Sequence, residues 1–99
     1  MANEAAMSVM ADLYTVYRER CVIARDEKIQ ILIEKPYLVE IKFTDTEAHV
    51  CIVVAGVQVK DFDAFDDESH VATFEFCNPA FPGDLYSTVE KEIERWQRK

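Results

Sequence analysis

The residues with chemical potential in this chain sit in one acidic stretch and in a few cysteines and histidines. The segment DFDAFDDESH, Asp61 to His70, has five acids in ten residues, set around Phe62 and Phe65. Carboxylates at that density suit a hard divalent cation or a basic protein surface. A calcium loop of the EF-hand kind needs oxygen ligands at positions 1, 3 and 5, Gly at 6 and Glu at 12. Counted from Asp61, positions 1 and 3 fit, but Phe65, Asp66 and Ala72 fall at positions 5, 6 and 12. The pattern therefore fails in three places, and only an irregular cation site stays open. The plainer reading is a solvated connection anchored by Phe62 and Phe65. As a recognition surface it offers Asp61, Asp63, Phe65, Asp66, Asp67 and Glu68 to a partner.

His49 and Cys51 stand two apart in an apolar run, so on a strand both face one side. A structural zinc site needs four ligands. His70 and Cys77 have opposite parity on an unbroken strand, so that set closes only through a bulge. The alternative is a half-buried histidine and a core cysteine. Catalysis by a thiol needs a histidine in hydrogen-bond reach and a group to orient it. Cys21, Cys51 and Cys77 could each meet His49 or His70, and no spacing selects a pair. No GxSxG, HExxH, P-loop or GxGxxG pattern is present. Two glycines leave little from which to build a phosphate cradle. Glu40 and Glu75 are the acids inside expected strands; each lies opposite an apolar set, which places both in solvent. Trp96, Tyr86, Tyr14 and Tyr17 fall at helical spacing and are expected in the core. The expectation is a protein with no catalytic residue, no metal and no cofactor.

A chain of 99 residues makes one domain with one modest core, and 49% hydrophobic residues is globular composition. Net charge is −8. Residues 34–67 hold eight acids against three bases, so the negative excess sits in the middle. Binding a phosphate backbone needs a basic face, and the chain has none beyond its last residues. The charge thus argues against direct contact with nucleic acid or an anionic membrane. Three widely spaced cysteines form no disulfide framework and fit reduced thiols in the cytoplasm. The opening MANEAAMSVM lacks the basic and apolar regions of a secretory signal, and no apolar run reaches the ~20 residues of a membrane span.

The elements that position these groups can be read from periodicity. Residues 4–20 read as a helix, with Asn3 as N-cap and an apolar stripe of Met7, Met10, Leu13, Tyr14 and Tyr17. The run CVIA, 21–24, fits either a continuation of that helix or a short strand. Ile29, Ile31 and Ile33 alternate, as do Tyr37, Val39, Ile41 and Phe43. AHVCIVVA reads as a central strand, VQVKDF as its return, and VATFEFC as another, with Ala72, Phe74 and Phe76 on one face. NPAFPGD ends the sheet. Asp84 is then placed as N-cap of a last helix whose stripe is Leu85, Val89, Ile93 and Trp96. The fold class is α+β: one domain over 1–99, helix, four- to five-stranded antiparallel meander, helix, with the helices on one face. This element order resembles the topology of RWD-type interaction modules, whose proline signature the chain lacks.

Three functions compete on this basis. The first is a non-catalytic protein-interaction module, an adaptor or complex subunit. It would bind through a sheet face on which Leu32, Leu38, Cys51 and Val53 lie uncovered, an edge strand, or the acidic surface. The uncovered face would suit a protein partner or a second copy of the chain. The second is an acidic inhibitor or decoy for the basic groove of a nucleic-acid-handling protein. The third is a small cysteine- or carboxylate-based enzyme, for which no motif speaks.

Overall fold

A computed structural model of the chain describes residues 4–25, 27–34, 37–54 and 70–97. Helix α1 spans Glu4–Val16, and a single 3-10 turn, Arg18–Arg20, leads into strand β1, Cys21–Arg25. Strands β2 (Lys28–Glu34), β3 (Tyr37–Phe43), β4 (Glu47–Val54) and β5 (His70–Glu75) follow, and helix α2 (Gly83–Gln97) closes the fold. The five strands lie in chain order and every neighbouring pair is antiparallel. The expected meander with helices on one face is thus the observed architecture. The return strand expected at VQVKDF lies outside the described residues, as does Asn3.

Alternation decides which residues face the helices. Ile29, Ile41, Val50 and Ala72 form one cross-strand row, and Ile31, Val39 and Ile52 the next. The isoleucines and valines of these rows are buried with Ile33, Phe43 and Ala48 under both helices. A buried aliphatic side chain of this kind contributes roughly 1.5–3 kcal/mol. Short turns set the register. After β3, the Thr44 hydroxyl accepts from the backbone N–H groups of Glu47 at 3.0 Å and Thr46 at 3.3 Å. Between β1 and β2, Glu27 takes the left-handed conformation with φ of 60°.

The open question at residues 21–24 resolves as strand. Cys21 pairs with Ile31 and Ile23 with Gln30, with a bulge between them. The β-branched Val22 and Ile23 favour that outcome. Helix α2 follows the expected stripe: Leu85, Val89 and Ile93 are buried, and the Trp96 ring stands 4.2 Å from that of Tyr37. It begins at Gly83, so Asp84 lies inside the first turn and meets the helix dipole there.

Helix α1 departs from expectation. Its buried residues are Ala6, Val9 and Leu13, flanked by Met10 and Tyr17, whereas Met7 is 60% exposed and Tyr14 is also exposed. The stripe is turned toward small side chains, which let the helix axis lie close to the sheet. The expectation for the other sheet face is also corrected. Leu38 and Val53 keep only 2% and 1% of their surface, and Ile23, Leu32 and Cys51 pack against them. That face is not an open apolar surface.

Leu13→Ala should lower unfolding stability by about 2–4 kcal/mol, as truncation of a packed core leucine does. Met7→Ala should change it by less than about 0.5 kcal/mol. Urea titration of both variants checks the orientation of α1; a larger loss at Met7 would restore the stripe expected from the sequence.

Candidate functional site

The acidic candidates Asp61, Asp63, Phe65, Asp66, Asp67 and Glu68 lie outside the described residues. His49 and Cys51 share the sheet face turned away from the helices, as their spacing requires. A bulge between β4 and β5 sets His70 opposite Cys51 in the ladder, while Val50 pairs with Ala72. Cys77 lies beyond the strand and is exposed, its Sγ 3.9 Å from Glu75 Oε2. Cys21 packs against the main core, and burial pushes its thiol pKa up. His49 Nδ1 lies 3.1 Å from Thr73 Oγ1, and Nε2 lies 3.5 Å from Glu47 Oε1. Among the described residues, no three His, Cys, Asp or Glu side chains come together as a metal site.

Glu75 is exposed as expected, but Glu40 is 1% exposed. It sits at the centre of the second face, with Gln30 directly across on β2 and Cys51 on β4. Neither carboxylate oxygen has a hydrogen-bond partner, nor do the buried amide atoms of Gln30. Lys28 Nζ stands 3.7 Å from Oε1. Burial raises the Glu40 pKa, and the Lys42 and Lys28 charges, with the nearby Gln30 amide, pull it part of the way back. Strand parity assigns Glu40 to a face, but it does not say whether that face is covered.

A concave site lies instead on the helix layer. Helices α1 and α2 both rest on the sheet. Between them an open groove of about 610 Å³ is lined by Asp12, Leu13, Val16 and Tyr17 from the α1 side, and by Tyr86 and Glu90 from α2. Two bonds cross the helix pair in opposite senses. The Tyr86 hydroxyl donates to Asp12 Oδ2 at 3.0 Å, and the Tyr17 hydroxyl donates to Glu90 Oε2. Burial, then the bond to Asp12 and its charge, push the Tyr86 pKa up to about 12. Burial and Glu90 raise Tyr17 as well, against a smaller opposing effect of Arg20. Both hydroxyls therefore stay protonated and donate throughout the neutral range. Leu13 is buried beside the groove, and Val16 is 70% exposed on its wall.

The residues of this groove were expected only as helix and core. Their partners are 74 and 73 positions apart in the chain, so no local pattern announces them. Comparison with known protein families, curated proteins and solved structures finds no match to this chain.

Glu40 yields a pH prediction. Because its folded-state pKa is raised, the native state holds this proton more tightly than the unfolded chain. Its favourable contribution is therefore full below the ordinary value of 4.5 and is lost as pH rises through the folded-state pKa. Glu40→Gln should raise stability by about 1–2 kcal/mol at neutral pH, because the variant no longer carries a charge that burial disfavours. It should also flatten stability against pH. Denaturant midpoints at pH 4.5 and pH 8 check both; a less stable variant at pH 8 would show that the lysine charges outweigh desolvation.

Proposed function

We propose that this chain is a non-catalytic protein-interaction module that holds a segment of a partner protein in the groove between α1 and α2. The observation that carries this is the groove itself: about 610 Å³, bordered by Leu13 and Val16, and open along its outer side. That volume is within the usual range for binding sites. Its open side and helical walls suit a chain segment lying along it, as in helix-in-groove recognition. The two carboxylates of the groove, Asp12 and Glu90, each accept a tyrosine hydroxyl from the other side. The net charge of −8 favours a partner over a second copy, because two such chains repel each other on approach.

Described helices bear on membranes in one respect: none is long and apolar enough to cross a bilayer. The acidic-decoy reading keeps its support in the charge of residues 34–67. It differs in where a partner would touch.

Val16→Lys places a charge on the groove wall, and Met7→Lys places the same charge on the other flank of α1. Both positions are exposed, so each change should cost less than about 0.5 kcal/mol of stability. A partner captured from the source lysate should be retained by wild type and by Met7→Lys and lost with Val16→Lys. A partner that ignores Val16→Lys but is lost when Asp63, Asp66 and Asp67 become Asn would move the contact to the acidic stretch and contradict docking in the groove.

A further inference from the structure

We infer that the anchor received by the groove is a cationic side chain, a lysine or arginine of the partner. This rests on docking in the groove and adds what is recognised there. The lining contains two carboxylates, Asp12 and Glu90, one from each helix, and no Lys, Arg or His. Each carboxylate accepts one tyrosine hydroxyl. An ionised carboxylate has about four lone-pair sites, so both keep acceptor capacity after the tyrosine bond. The hydroxyls hold the carboxylates in place without neutralising them.

Two arginines, Arg18 and Arg20, line the adjoining groove, and neither lines this one. An incoming cation would meet two anionic groups and two tyrosines, and an aromatic face attracts a cation further. Lysine and arginine also carry long apolar stems. Val16, exposed on the groove wall beside the buried Leu13, offers those stems an apolar surface. A purely apolar anchor would instead strip water from Asp12 and Glu90 and return nothing for it. Charge-assisted hydrogen bonds from a cation replace that water. The chain's overall −8 draws the same class of partner from a distance.

The test selects binders from a random dodecapeptide display library on the folded protein and remakes them as synthetic peptides. Groove binders are those that Val16→Lys abolishes, because the added ammonium repels a cation and competes for Asp12 and Glu90. They should carry a Lys or Arg beside an apolar residue. Replacing that residue with norleucine should weaken binding by roughly tenfold or more. So should the double variant Asp12→Asn, Glu90→Gln, which keeps an acceptor oxygen for each tyrosine and removes only charge. Wild-type affinity should also fall as salt is raised. Groove binders that lack a basic residue, or that bind the double variant undiminished, would overturn the cationic anchor while leaving docking intact. A selection in which no peptide responds to Val16→Lys would overturn docking itself and the anchor with it.

Discussion

Two helices share one face of a five-stranded antiparallel sheet, and the rest of the molecule depends on how they divide it. Strands about 4.8 Å apart make a five-stranded sheet about 19 Å across. Helices pack at interaxial distances of about 8–10 Å and are about 10–12 Å across, so two of them cover that width. Helix α1 seats Ala6, Val9 and Leu13 on the sheet, and α2 seats Leu85, Val89 and Ile93. Both stripes are buried in one core with the strands. On their outer side the helices are joined through hydroxyls and carboxylates, and a groove lies between them.

The polar groups add geometry more than stability. A hydrogen bond near solvent contributes about 0.5–1.5 kcal/mol net, so the Tyr17–Glu90 and Tyr86–Asp12 bonds fix the helix pair more than they hold the fold together. The buried Glu40 works against the fold, because desolvation of its charge outweighs the nearby lysines. Its position opposite Gln30 leaves four buried polar atoms without hydrogen bonds on one sheet face. An apolar pair there would fold more readily, so this sheet face is not optimised for stability alone.

Much of the architecture was legible in the sequence. The alternation of Ile29, Ile31 and Ile33 and of Tyr37, Val39, Ile41 and Phe43 gave two strands and their buried face. The spacing of Leu85, Val89 and Ile93 gave α2 and its seat on the sheet. Helix α1 was legible as a helix but not in its rotation. Its bulky Met7 and Tyr14 suggested a stripe, while close packing on the sheet selected Ala6 and Val9. Parity placed Glu40 correctly on the second face and failed on its burial, because coverage is a tertiary property. At His70 parity held only for an unbroken strand, and a bulge brings this residue opposite Cys51. The groove was illegible, since it joins side chains from opposite ends of the chain through bonds that no period predicts.

The functional account needs that groove to exist in solution, held open by crossed tyrosine–carboxylate bonds. Nuclear magnetic resonance tests this directly on the protein alone. The account predicts through-space contacts from the Tyr86 ring to the Asp12 methylene and from the Tyr17 ring to the Glu90 methylenes. It also predicts that a soluble paramagnetic agent strongly broadens the Val16 methyls and spares those of Val9 and Val89. Val16 methyls as protected as those of Val9, with neither tyrosine near its carboxylate, would show the helices packed flush against each other and contradict the account.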